Sequence, residues 1–280
     1  MMENKCLCCG SNKIKIIYKN MRDKDFLKDG NFSILKCENC ELEFLYPMLN
    51  EKDLAKYYPK EDYYSFNKPN KIALIYHKIS AYYHSKKNPL FNFLFFVFSP
   101  MIYTYYIDKG KSVLEIGCGN GMKLEIYQKY MMNTFGLEPY GKELREREKK
   151  LGIIKKTINQ ANYKKNSFDY IILKEVLEHI PNQKEVLEKC YQWLKPRGKL
   201  IITIPNTNGL WNKIFKKNWY GYDVPRHLYN YNSKNIRYFL NKFGFKINRI
   251  KIYDMPYMFD GSIKFYLSDK TRKKEHPIIF

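Results

Sequence analysis

At 280 residues the chain has room for one sizeable α/β domain and a small module, but not for two large domains. Hydrophobic residues make up 45% of it, enough for a packed core, which excludes wholesale disorder. The formal charge of +22, from 50 Lys+Arg against 28 Asp+Glu, favours acidic partners such as nucleic acid, anionic lipid or phosphorylated substrates. A blander origin stands beside that reading: the lysines are spread along the chain, and its abundant Lys, Asn, Ile, Tyr and Phe all have AT-rich codons.

The first sixty residues hold five of the seven cysteines: Cys6, Cys8, Cys9, Cys37 and Cys40. The start, Met1 to Lys5, lacks the apolar core of a signal peptide, so a cytoplasmic chain is expected and its paired thiols point to metal rather than disulfide. Cys6-x-x-Cys9 and Cys37-x-x-Cys40 form two knuckles 27 residues apart, the spacing of a closed, tetrahedral four-cysteine site for structural Zn2+. Gly10 suits the first knuckle's turn, Glu41 is less usual in the second, and Cys8 is an alternative ligand. Four reduced, unliganded thiols are the competing reading. Residues 11–36 carry no dense run of Arg and aromatics of the kind that reads nucleic acid.

Residues 61–108 form a linker, basic at first and then apolar. Asn88 to Ile107 gives 20 residues without a charge, long enough to span a bilayer. Pro89, Asn92, Pro100 and the late tyrosines argue against a span. A buried or lid helix therefore ranks first, an interfacial membrane contact second and a true span last.

From 110 to 255 strands and helices alternate, as in a parallel sheet covered on both faces. Strands are expected at Ser112–Ile116, Asn133–Glu138, Phe168–Lys174 and Lys199–Pro205. Helices are expected at Met122–Met131, Lys142–Leu151, Gln183–Leu194 and Ser233–Phe243. Pro196 and Gly198 stop the third helix; Ser233 caps the last and Gly244 ends it. Strand-like segments follow at Phe245–Tyr253 and Ser262–Leu267, and a basic, frayed tail closes the chain.

The most informative run is VLEIGCGNG, Val113 to Gly121, where an apolar strand enters three alternating glycines and then a helix. Its spacing, E-x-G-x-G-x-G, departs from the G-x-G-x-x-G of dinucleotide enzymes, which disfavours a nicotinamide-dependent oxidoreductase. Glycines that merely turn the chain of a sheet domain are the structural alternative. A second carboxylate, Glu138, ends the next strand, where it can accept two hydrogen bonds from a ribose diol.

These residues resemble class I S-adenosylmethionine (SAM)-dependent methyltransferases across roughly 110–255. VLEIGCGNG is similar to their first motif, FGLEP to the second, FDYIILKEVLEHI to the fourth strand and its loop, and LKPRGKLIITIPN to the fifth strand. The resemblance implies that Gly117, Gly119 and Gly121 hold the methionine part of SAM, with Glu115 near its amino group and Glu138 on the ribose. Gln160 and Ala161, in INQAN, occupy the adenine position without the carboxylate often found there, and Lys174, ending the fourth strand, joins the cofactor set. The expected fold is a doubly wound, Rossmann-like methyltransferase sheet over 109–270. The four-cysteine zinc ribbon (1–60) and helical linker (61–108) precede it, and a tail (271–280) follows.

NWYGYDVPRHLYNYN follows the fifth strand. It resembles the W-x5-PRH-x3-F segment of bacterial methyltransferases that carry an N-terminal zinc ribbon, with Tyr231 in place of Phe. Such enzymes tailor sugars, surface polysaccharides and natural products; their larger C-methylating members have a further C-terminal domain not seen here, which favours O-methylation. His227 is the candidate general base, with a pKa near ~6.5 when unperturbed, and His179 in LEHIP is the runner-up. Arg226 could grip a phosphate or carboxylate, and Trp219, Tyr220 and Tyr222 could stack on a sugar. In the blander reading His227 caps a turn and Arg226 pairs with Asp223. The functional expectation is O-methylation of a sugar or glycan precursor, nucleotide- or lipid-linked, with peripheral membrane contact at the inner face. An RNA methyltransferase and a non-catalytic SAM- or zinc-bearing scaffold are the alternatives.

Overall fold

The computed structural model describes residues 5–58, 107–129, 132–140, 143–252 and 255–274. The apolar stretch from 88 to 106 and nearly all of the linker lie outside them, and with them the lid, interfacial and spanning readings. Among the described residues no helix is long and apolar enough to cross a membrane. In chain order the elements are β1 (Ile14–Met21), β2 (Phe32–Cys37), β3 (Glu43–Tyr46), α1 (Glu51–Ala55), β4 (Ser112–Ile116), α2 (Met122–Lys129), β5 (Asn133–Leu137) and α3 (Glu146–Lys150). They continue with β6 (Ile153–Ile154), β7 (Phe168–Lys174), α4 (Gln183–Trp193), β8 (Leu194–Thr203), α5 (Leu210–Phe215), β9 (Tyr229–Asn230), α6 (Ser233–Asn241) and α7 (Pro256–Lys274).

Two compact units result. One comprises Tyr58–Leu177 and Asn182–Thr203; the other comprises Met1–Tyr57, Glu178–Pro181 and Ile204–Phe280.

The first unit is built on a five-stranded sheet, ordered β6-β5-β4-β7-β8, with every neighbouring pair parallel. The order reverses at β4, as in the doubly wound arrangement expected from the sequence. Successive residues of β4 and β7 are buried whichever face they point to: Val113 and Leu114, Ile171, Ile172 and Leu173. This two-sided burial explains why these strands read as continuous apolar runs. Val113, Tyr170 and Ile172 join Ile107 and Met132 in one cluster, while Leu124 of α2 packs with Leu151 and Ile153. β4 and β7 have the bounds read from the sequence. β8 begins earlier than expected, at Leu194 rather than Lys199. Phe168 pairs with Leu194 but Tyr170 pairs with Lys199, and Arg197 has φ +65°. Pro196 and Gly198 therefore lie in an irregularity within the strand as well as ending the helix before it.

The second unit carries an antiparallel sheet, β1-β2-β3-β9. Its fourth strand comes from the PRH segment, with Glu43 opposite Asn230 and Phe44 opposite Tyr229. α6 is capped by Asn232, not Ser233: the Asn232 side chain accepts from the amides of Lys234 and Asn235 at 2.9 Å each, and Asn235 returns the bond to the Asn232 amide. This reciprocal pair satisfies amides that a serine one position later would leave open. Gly244, at φ +81°, closes the helix as expected. No strand forms over the described part of Phe245–Tyr253, and Ser262–Leu267 lies inside α7. There Met258, Ser262 and Phe265 are buried, a helical spacing that the short alternating run concealed. α7 also runs through the first part of the expected tail, to Lys274.

Candidate active site

β4 delivers its carboxyl end into the glycine loop. Gly117, Gly119 and Gly121 have φ of +67°, +54° and +71°, a left-handed conformation that glycine adopts without strain. A Cβ on Gly117 would meet the Val176 side chain at 2.5 Å, and one on Gly121 would meet Ile153 at 2.5 Å. The loop is thus a close-packed cradle with main-chain groups on display. Glu138, just past β5, ties it down: its carboxylate accepts from the Gly119 amide at 2.8 Å and the Tyr140 amide at 3.1 Å. Burial pushes the Glu138 carboxyl up to about 7, opposed by those two amides. Each of its oxygens retains a further lone pair, so the residue can hold the loop and accept hydroxyls together.

Beside the loop is a buried charge cluster. Glu115 is 4% exposed and burial raises its pKa; one of its oxygens lies 4.0 Å from the Lys123 ammonium, and the other, Oε2, is buried without a hydrogen-bond partner among the described residues. Burial, reinforced by neighbouring Lys174, pushes Lys123 down to about 7. An orphaned carboxylate oxygen, two amines and a glycine cradle at a sheet switch point suit the zwitterionic end of an amino acid such as methionine. Gln160 lies elsewhere in character. It is exposed, and its side chain accepts from the Thr157 amide at 3.0 Å, whereas its neighbour Ala161 is buried.

In the other unit the two CxxC knuckles converge. Cys6 and Cys40 place their sulfurs 3.5 Å apart and Cys9 and Cys37 3.6 Å apart, with all four within 4.8 Å of one another. A tetrahedral zinc with Zn–S bonds of ~2.3 Å would separate its sulfurs by roughly 3.8 Å, so the four thiols fit the ion. Each knuckle is a turn closed by a backbone bond, Gly10 to Cys6 and Glu41 to Cys37, with φ +75° at Gly10 and +62° at Glu41. The second turn places a glutamate where glycine is favoured. The hydrogen bond with Cys40 and then burial raise the Cys6 pKa. Cys8 is not one of the four: its thiol donates to the Asn235 carbonyl at 3.5 Å, while the Asn235 side chain donates to the Cys40 carbonyl at 3.2 Å.

The PRH segment folds in the same unit, and His179 joins it. His227 sets Nδ1 2.7 Å from the Gly221 carbonyl, and His179 sets Nδ1 3.0 Å from the Arg226 carbonyl. A carbonyl only accepts, so both imidazoles carry hydrogen on Nδ1 and a lone pair on Nε2. Burial, then proximity to His227, pushes His179 down to about 3; burial also lowers His227, against the pull of Asp223. Both rings are neutral near pH 7.

Arg226 does not present itself to an anion. It is 1% exposed, with its guanidinium on Asp23 at 3.0 and 3.1 Å and on Asp223. Nor do Trp219 (4% exposed) and Tyr222 (2%) offer a stacking face; Tyr222 donates to Glu43 at 2.8 Å, beside the Trp219 ring. Three side chains expected on the substrate are therefore interior cross-links, because a segment rich in large aromatics supplies this unit's core.

Residues 92–250, more than half of the chain, match a family described as "Methyltransferase domain" (Methyltransf_23). The chain belongs to this methyltransferase family. It is 29% identical over 107 residues to a ubiquinone biosynthesis O-methyltransferase of Cronobacter sakazakii, covering 35% of this chain and 44% of the relative. It is 30% identical over 106 residues to a phosphoethanolamine N-methyltransferase of Plasmodium falciparum, covering 35% and 40%. The matched part thus spans less than half of either relative. The solved Burkholderia thailandensis 1,6-didemethyltoxoflavin-N1-methyltransferase, with S-adenosylhomocysteine bound, superposes with TM-score 0.44 at 12% identity, over 69% of this chain and 88% of that one.

Several residues of this methyltransferase escaped the sequence reading. Lys123 looked like an ordinary helix lysine, although its place two residues beyond Gly121 puts it in the first turn after the loop. Glu178 stands beside His179 in LEH and is 1% exposed. Asp23, partner to Arg226 from 203 residues away, had no local signal.

Proposed function

We propose that this methyltransferase transfers the SAM methyl group to a hydroxyl of a sugar or glycan precursor, with His227 accepting the hydroxyl proton. The observation that carries the reading is the pinned imidazole: Nδ1–H held by the Gly221 carbonyl, ring neutral, Nε2 lone pair available. When bound, SAM supplies an activated methyl group that needs no further polarisation from the protein. The chain's own contribution is alignment and a base. Glu138 holds the glycine loop and accepts ribose hydroxyls; Glu115, with Lys123 and Lys174, receives the amino-acid end; His179 buttresses His227.

The sugar acceptor is supported by the joining of the cysteine quartet and the PRH segment in one unit, the combination by which the sequence resembles ribbon-bearing tailoring enzymes. The two relatives methylate oxygen in one case and nitrogen in the other, by their names. A hydroxyl is favoured because it must lose a proton as the methyl group arrives, and the neutral imidazole answers that need. Zinc in the cysteine quartet is proposed as structural, closing the knuckles. Labelled SAM offered with nucleotide-sugar, lipid-linked glycan and RNA fractions tests the reading. Label is expected in a sugar fraction as an O-methyl group, and its transfer to RNA alone would overturn the proposal.

A further inference from the structure

A second group of metal-ligating side chains lies apart from the cysteines. Glu178, His179 and His227 each offer one ligand atom, and these atoms lie within 4.8 Å of one another. The two rings meet edge to face with centroids 4.5 Å apart. Their support is already built: each Nδ1 is held by a backbone carbonyl, Gly221 or Arg226, which fixes ring orientation and leaves Nε2 as the ligating atom. Metal-bound histidines are commonly oriented in this way, by a carbonyl or carboxylate on the second nitrogen.

The backbone fixes the third ligand too, since the Glu178 carbonyl accepts from the Leu228 amide at 2.8 Å, joining the LEH turn to the residue after His227. Charge favours a cation. Asp223 reaches to 3.8 Å from His227 Nε2, and Asp223 and Asp23 are two carboxylates against the one guanidinium of Arg226.

We propose that Glu178, His179 and His227 form a second divalent-cation site, of two imidazole nitrogens and one carboxylate, suited to a first-row ion such as Zn2+. Imidazole selects such ions over Mg2+ and Ca2+. Three protein ligands leave a coordination position open, unlike the closed thiolate site. Occupancy takes up the Nε2 lone pair of His227. On the proposed reading of His227 as proton acceptor, a metal at this site therefore inhibits methyl transfer.

Cobalt distinguishes the two sites in the full-length chain. Co2+ on four thiolates gives intense near-ultraviolet charge-transfer absorption, whereas Co2+ on nitrogen and oxygen gives only weaker visible bands. The wild-type protein is expected to take up one equivalent of each kind. Glu178→Gln and His227→Asn should each lose the second signature and keep the first, which also reports that the shared unit remains folded. Absence of the nitrogen–oxygen signature from wild type, or its full retention in both variants, overturns the site. Methyl transfer by wild type is then measured with Zn2+ beyond the first equivalent, and a loss of at least tenfold with unchanged SAM affinity is expected. If the second equivalent binds and the rate is unaffected, the site stands and the role given to His227 falls.

Discussion

His179 and His227 meet edge to face, ring centroids 4.5 Å apart, although 48 positions separate them and each is pinned by a different backbone carbonyl. One ring buttresses the other, so the two should not respond alike to substitution. His227→Gln is expected to keep SAM affinity within about twofold and to lower kcat by 10²–10⁴-fold, the usual weight of a general base. His179→Gln should first lower the melting temperature. Calorimetric SAM binding, melting curves and turnover on both variants decide. A His179 variant that is dead yet stable and SAM-competent, beside an active His227 variant, would reverse the assignment.

The same burial predicts acid sensitivity. His179 titrates at about 3 in the folded chain against ~6.5 unfolded, so between those values the unfolded state holds the extra proton. Its contribution to stability is complete above about pH 6.5 and is lost as pH falls toward 3, by at most about 1.4 kcal/mol per pH unit. His227 shifts in the same direction. Denaturation midpoints measured from pH 7.5 to 5 should fall, and His179→Gln should flatten the slope.

Glu138 makes the opposite kind of prediction, about the cofactor. Its carboxyl is raised to about 7 by burial, and the ionised form is the stronger acceptor, with no proton occupying either oxygen. SAM affinity should therefore weaken as pH falls through 7, by up to about tenfold per unit. Glu138→Gln should bind SAM more weakly at pH 8, by roughly 1.5–3 kcal/mol for each charged hydrogen bond lost. Its affinity should also show a much shallower pH profile. Calorimetry at pH 6, 7 and 8 on both proteins provides the comparison; parallel profiles would assign the ribose to another residue.

Arg226 is a structural member, and its removal should be expensive. Arg226→Met leaves Asp23 and Asp223 buried without their guanidinium, a change worth roughly 3–5 kcal/mol in buried ion networks. Denaturant titrations followed by tryptophan fluorescence should show it. Adding Asp23→Asn to Arg226→Met should recover part of the loss, because the penalty lies in the uncompensated charge.

Zinc in the cysteine quartet predicts that protein purified without chelator retains close to one equivalent, released by denaturation. Cys37→Ser should lose it and destabilise the sheet in which Cys37 ends β2. Cys8→Ser should retain it, since Cys8 is not among the four sulfurs that lie within 4.8 Å of one another and its thiol is held by the Asn235 carbonyl. Metal analysis of the two variants separates the ligands.

What the sequence displayed was local. Gly117, Gly119, Gly121 and Glu138 were legible as one loop because one strand, one turn and the next strand suffice to make it. The bounds of β4 and β7 were legible because strands buried on both faces read as uninterrupted apolar runs. The PRH segment was legible as important but not as to why. Arg226 and Tyr222 are polar-tipped side chains whose partners, Asp23 and Glu43, lie 203 and 179 residues away, so nothing nearby marked them as interior. α7 was misread because Ser262 to Leu267 is too short a window to separate alternation from a helical period.

Because β3 borrows β9 and Asp23 waits for Arg226, the chain's synthesis has an order built into it. The parallel-sheet unit ends at Thr203, before β9 and Arg226 have been made. At ~5–20 residues per second, Asp23 leaves the ribosome roughly 10–40 s ahead of its partner. Through that interval the amino-terminal strands present an open edge and an unmatched carboxylate, while the strands of the parallel sheet are made in turn, the last ending at Thr203, ahead of Arg226. Ribosome-bound chains stalled once Thr203 has emerged from the exit tunnel, but before Arg226 has, should therefore resist protease across the parallel sheet and be cut within the first sixty residues.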